Sequence, residues 1–268
     1  NITLNGEVPN SNDEGSSSST STAITISCSN TATEPIVTSS QDYTGSIRIG
    51  ISGGTNVDLG GTLSATNAGI YNGTATPRKG YCWSDNTNSS KSYNWTISKI
   101  DNTLNVTAKT GLSYNGSTQT LATVSNALGT VYYSTSTELT SSNYSSGSIT
   151  IPTGTDAGEY IVYYYTPEND NYKAKSGSVS VTINKKTLTP TATANSKAYD
   201  GNTSATCNVS LSGIVSGDVV SASSTGNFSS SSAGEGKTVT CSNISLSGDD
   251  KDNYSLSTNS VTATATIG

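Results

Sequence analysis

Apolar residues in this chain recur at every second position over short runs and nowhere at helical spacing over three turns. Ala23-Ile24-Thr25-Ile26-Ser27-Cys28 is one such run, with a single face inward. Ile47-Arg48-Ile49-Gly50-Ile51 and Leu104-Asn105-Val106-Thr107-Ala108 follow the same rule, and 130–133, 147–151 and 159–166 are further strand candidates. The pattern predicts strands and almost no helix. Three alternating runs, each ending in Ile, follow the turn landmarks and close a unit, at 93–97, 178–183 and 261–267. They recur at a period of roughly 85 residues, which marks an array of modules in place of one large fold.

Turn chemistry repeats with that period. Tyr-x-Gly followed by a small polar residue occurs as Tyr43-Thr44-Gly45-Ser46, Tyr114-Asn115-Gly116-Ser117 and Tyr199-Asp200-Gly201-Asn202. Glycine takes the positive-φ position of a tight turn without steric cost, so each copy predicts a turn entering a strand. A second landmark follows each copy: Asn67-Ala68-Gly69-Ile70-Tyr71, Asp156-Ala157-Gly158-Glu159-Tyr160, and the looser Ala233-Gly234-Glu235-Gly236. Gly53-Gly54, Gly60-Gly61 and Asn72-Gly73 mark further turns at hairpin spacing.

These landmarks divide the chain into an N-terminal segment and linker at 1–22 and modules at 23–99, 100–184 and 185–268. Residues 10–22 are rich in Ser, Asn and Asp without periodicity and read as linker or exposed loop. Lys185-Lys186-Thr187-Leu188-Thr189-Pro190 reads as a short junction. It leaves neighbouring modules semi-rigidly stacked and the third one self-contained. The expected fold is all-β, a tandem of sandwich modules end to end, since thin sandwiches need only alternate side chains inside. Three sandwiches of roughly 40 Å joined by short linkers predict a rod near ~100 Å.

Composition sharpens this picture. Of 268 residues, 31% are hydrophobic and 12% charged, with one Phe, no Met and no His. High polarity can also signify disorder, but 15 Tyr and abundant Val, Ile and Thr argue for folded strands. A net charge of −6 leaves no basic stripe for phosphates, against nucleic-acid binding. No run approaches the ~20 apolar residues of a membrane helix, so no membrane insertion is expected. With no start methionine, signal peptide or sorting tail, the sequence reads as an excerpt from a longer protein.

The four cysteines fall two in the first module, Cys28 and Cys82, and two in the third, Cys207 and Cys241. Of the three pairings open to them, the intramodule one is economical, with four reduced buried thiols as the alternative. Bridges imply an oxidising, extracytoplasmic location. Trp83 beside Cys82 is then expected on the bridge, as a Trp packs in antibody domains, and Trp95 in the core.

Candidate chemistry is sparse. Without His, triads built on imidazole and imidazole zinc sites are excluded. A carboxylate pair for glycoside hydrolysis needs neighbouring strand faces, yet the acids cluster in loops such as Asp13-Glu14, Glu168-Asn169-Asp170 and Asp249-Asp250-Lys251-Asp252. No catalytic, cofactor or metal site is expected. The loop 249–253 is dense in oxygen ligands but lacks the EF-hand spacing, so it reads as a solvated turn before a calcium site. Tyr163-Tyr164-Tyr165 and Tyr132-Tyr133 put rings on both faces of their strands, one face being core and the other an ordinary cross-strand surface or a sugar platform.

In the third module five segments in order carry a resemblance: Tyr199-Asp200-Gly201-Asn202-Thr203, residues 211–220, Lys237-Thr238-Val239-Thr240, Ile244-Ser245-Leu246-Ser247-Gly248 and Asp252-Asn253-Tyr254-Ser255-Leu256. Over 185–268 the chain resembles the YDG family. The second module is similar, less strictly, to the related MBG family through Tyr114-Asn115-Gly116 and Asn171-Tyr172. Residues 71–77 and Gly80-Tyr81-Cys82-Trp83 resemble bacterial immunoglobulin-like repeats of large secreted proteins. The resemblance implies tandem Ig-like sandwiches in a bacterial surface adhesin, with no catalytic residues to carry over; the cysteine pair of the YDG-like module departs from the family pattern. Lys-Asn isopeptide bonds occur in related shaft domains, but no motif for one is visible.

The function expected from this reading is a monomeric, non-catalytic stalk at the cell surface, meeting host glycan or protein through other parts of a longer chain. The alternatives are an adhesive module that itself binds host glycan or protein, and a decoration or fibre segment of a gut bacteriophage.

Overall fold

The computed structural model describes residues 28–268; the strand expected from Ala23 and the linker at 10–22 lie outside the described residues. The described chain is all-β. Two 3₁₀ turns, Tyr144–Ser146 and Lys251–Asn253, interrupt it, and no α-helix occurs among the described residues. The chain divides into two compact units, one of residues up to 41 with 46–66 and 70–97, the other of 98–268 together with Asp42–Gly45 and Asn67–Gly69.

The first unit is built on a four-stranded sheet ordered Ser40–Asp42, Lys91–Ser98, Gly69–Pro77, Val57–Gly61. Alternation along Lys91–Ser98 turns Trp95 and Ile97 fully inward. The run 47–51, expected as one strand, is instead two short ones. Arg48–Ile49 pairs with Ser64–Ala65, and Ile51–Ser52 with Ile36–Val37. The break falls at Gly50, where a Cβ would overlap the Trp95 indole. There the N–H groups of Gly50 and Ile51 converge on one acceptor, the Leu63 carbonyl, at 2.9 and 3.1 Å. The large ring thus requires both a glycine and a kink, which alternation alone does not reveal.

In the second unit, Leu112–Ser113, Lys175–Asn184, Gly158–Thr166 and Tyr132–Ser134 form a sheet in that order. Asn105–Ala108 pairs separately with Ala122–Ser125. The strand expected at 147–151 shrinks to one bridge between Ser148 and Tyr133, because the Thr150 N–H turns back onto Ser148 Oγ at 3.0 Å and ends the ladder. Further along, one sheet is ordered Cys207–Ser212, Lys186–Ala194, Tyr254–Leu256, and another Ser204–Ala205, Ser221–Phe228, Gly234–Ser247, Val261–Ile267.

The expected junction at 185–190 is therefore a strand. Only Lys185 separates it from the preceding strand. Its alternation buries Leu188 and Pro190, and it pairs in parallel with Tyr254–Leu256 before changing partner to Cys207–Ser212 at Thr189. Burial follows suit. One continuous cluster joins Leu104, Tyr114, Leu121, Val162, Val181 and Ile183 to Leu188 and Tyr254. The boundary at 184/185 thus divides the sequence but not the packing. A second, smaller cluster holds Phe228, Val239, Cys241, Ala265 and Ile267.

Candidate functional site

The three Tyr-x-Gly turns are one device used three times. Gly45, Gly116 and Gly201 have φ of 78°, 76° and 75°. In each turn the Tyr N–H donates to the carbonyl of the residue after the closing-strand Ile: Tyr43 to Ser98 at 3.0 Å, Tyr114 to Asn184 at 2.8 Å, Tyr199 to Gly268 at 2.6 Å. Each turn is thereby pinned beside the end of a closing strand. The second landmark sits on the other side of that strand, with Gly158 paired to Ile183 and Gly234 to Ile267.

Within the second unit, two of these turn-and-landmark faces hold an Asn-Tyr pair. The Ala157 N–H donates to Asn253 Oδ1 at 2.8 Å, and Asn253 Nδ2 reaches Asp156 Oδ1 at 3.3 Å. The Ala68 N–H donates likewise to Asn171 Oδ1 at 2.8 Å, and Asn171 Nδ2 reaches Asn67 Oδ1 at 3.3 Å. The rings match as well. Tyr114 meets Tyr254 edge-on at 5.3 Å and 77°, and Tyr43 meets Tyr172 at 5.5 Å and 81°. A parallel bridge accompanies each pair, Lys186 with Tyr254 and Ile100 with Tyr172.

The clasp around Tyr254 has a carboxylate at its centre. Asp218 Oδ2 accepts from the Tyr114 hydroxyl at 2.7 Å and from the Tyr254 hydroxyl, while the Val215 N–H donates to Tyr254 Oη at 2.9 Å. Burial pushes the Tyr114 hydroxyl well above the ordinary tyrosine range, and the Asp218 carboxylate adds to the shift. Tyr254 is raised for the same two reasons, burial leading. Gly116 is needed for a second reason here, since a Cβ would lie 2.6 Å from Val215 Cγ1.

Cys28 is bridged to Cys82 and Cys207 to Cys241, with Cα separations of 5.6 and 6.0 Å. The two bridges lie in different units and mark no shared site. Two disulfides fit an extracellular or secreted protein. Trp83 is buried with Ala32, Val57 and Ala75, its Nε1 donating to the Ser89 carbonyl at 2.8 Å and the Lys91 ammonium 4.9 Å from the ring centre. In the acidic turn, Asp250 Oδ2 accepts from the Val219 N–H at 2.7 Å and Asn253 serves the clasp, so two of its oxygens already hold backbone groups. Tyr144 stacks on Tyr165 at 5.0 Å and meets Tyr132 edge-on, which occupies those rings with one another. No helix of the described residues is long and apolar enough to cross a membrane.

Nothing in the sequence alone marks Asp218, Asn253 and Asn171 as functional. The legible trace was the Asn-Tyr dipeptide a few residues ahead of the closing strands at 178–183 and 261–267. Its meaning needed the partner turns beside it.

Residues 184–263 match the YDG domain family. The match ends inside the strand Val261–Ile267 and takes in Asp218, Asn253 and Tyr254, the C-terminal half of the clasp. No curated protein matches the chain.

Proposed function

We propose that this chain is a structural, non-catalytic spacer, a run of Ig-like modules in the stalk of a bacterial cell-surface adhesin-like protein. The observation that carries the reading is the Asp218 network with the buried cluster around it. Tyr114 and Tyr254 stand 140 positions apart in sequence, as their numbers show, yet share one carboxylate and one core. This weld stiffens the passage from one repeat to the next, which a spacer needs to convert residues into reach. The two disulfides suit an extracellular segment exposed to proteases and shear.

An adhesive role for the first unit is the second reading. It draws on Ile36, Ile47, Ile49 and Ile70, all exposed, where a spacer would carry polar side chains. Small-angle scattering tests between stalk and compact binder. A compact chain of this length has a radius of gyration of about 18 Å. The spacer reading predicts a markedly larger value, unchanged by added sugars or calcium; a value near the compact one refutes it.

A further inference from the structure

We propose that the third turn-and-landmark face, formed by Tyr199, Gly201 and Ser232-Ala233-Gly234, is a docking surface for a further YDG-type module that presents an Asn-Tyr pair. The inference rests on register, not on the spacer reading. In the occupied face, Leu112 and Gly158 flank Ile183, and Tyr114 lies two residues past Leu112. In the third face, Lys197 and Gly234 flank Ile267 in the same parallel and antiparallel senses, and Tyr199 lies two residues past Lys197. The Tyr N–H is pinned to the residue after the Ile in both. Gly201 has the same φ as Gly116 within a degree. The turn and its pairing register are therefore formed before anything docks on the face.

What differs is cover. Tyr114 is 5% exposed under Tyr254 and Val215, whereas Tyr199 is 61% exposed. A Cβ at Gly116 would strike Val215, whereas one at Gly201 would meet nothing within 4 Å. Ala68 and Ala157 are half-buried beneath the Asn side chains they donate to, and Ala233 is exposed. An exposed tyrosine beside an exposed backbone donor is the complement of an Asn-Tyr pair: the amide oxygen accepts from Ala233 and the phenol ring meets Tyr199 edge-on. Ser232 stands where Asn67 and Asp156 stand, but its hydroxyl already accepts from the Lys237 ammonium at 3.1 Å and lies 3.1 Å from Ser230 Oγ, so the Ala233 N–H and the Tyr199 ring are the groups that the docking Asn-Tyr pair meets.

The test appends a second copy of residues 185–268 directly after Gly268 of the full chain and compares it with the chain as it is. Amide exchange at Ala233 and nitration of Tyr199 by tetranitromethane are read. Docking slows Ala233 exchange by about tenfold and suppresses Tyr199 nitration. Asn253→Ala within the appended copy alone restores fast Ala233 exchange, which separates a clasp from mere crowding. Unchanged exchange and nitration overturn the proposal. So does an appended copy that stays unfolded, because residues 184–268 fold against the equivalent face in this chain. Scattering that favours a compact chain would sink the spacer reading while leaving this docking result intact.

Discussion

Replacing Asp218 by Ala removes the common acceptor of two phenol hydroxyls and leaves Tyr114, which is buried, without a partner for its O–H. A hydrogen bond to a charged group contributes about 1.5–3 kcal/mol, and Asp218 is half-buried, so each of the two belongs at the lower end of that range. Together the loss is about 3 kcal/mol. A folding unit of this size loses roughly 2–4 °C of Tm per kcal/mol, so D218A lowers the midpoint of the second unit by about 6–12 °C in scanning calorimetry. Tyr114→Phe alone costs about 1.5 kcal/mol, and in the D218A background it costs close to nothing, because its partner has already gone. The double-mutant cycle therefore yields a coupling of about 1.5 kcal/mol. Additive effects, with coupling below about 0.5 kcal/mol, would refute the shared-acceptor account.

The same network sets an alkaline limit. Tyr114 and Tyr254 have folded pKa values above the unfolded value of about 10, so the stability they contribute is complete below pH ~10 and is lost as pH rises beyond it. Chemical denaturation across that range shows the decline, and Y114F flattens part of it; an unchanged slope in Y114F would contradict the assignment. Cys207→Ala opens a bridge of sequence separation 34, for which the chain-entropy model gives a loss of about 4 kcal/mol. That corresponds to a fall of about 10 °C in the melting of the second unit, and a fall under about 2 °C would show that the buried cluster around Cys241 holds without the covalent link.

Period and turn chemistry made the β architecture legible from sequence. The closing strands lie within Lys91–Ser98, Lys175–Asn184 and Val261–Ile267, and all three Tyr-x-Gly glycines take the positive φ that the motif demands. Local rules failed where a distant side chain decides. Gly50 breaks a regular alternation because Trp95, 45 positions away by number, lies across it. Residues 185–190 read as a short junction in the sequence, yet Leu188 and Pro190 find buried places and Tyr254–Leu256 supplies the ladder. The clasp was the least legible part. Asp218 sits among Ser and Gly in an ordinary turn sequence, and nothing local says that two tyrosines, one 104 residues earlier and one 36 later, will share its carboxylate.

The central claim is that residues 98–268 are one rigid unit, welded through Asp218, Asn253 and the shared core. Residual dipolar couplings measured on the weakly aligned full chain test it most directly. Amide couplings from strands within 105–184 and from strands within 186–267 should fit a single alignment tensor, and D218A combined with Asn253→Ala should split them into two. Two tensors of different magnitude in the unaltered chain would contradict the account, for they would mean that the repeats move independently and that the clasp does not hold them.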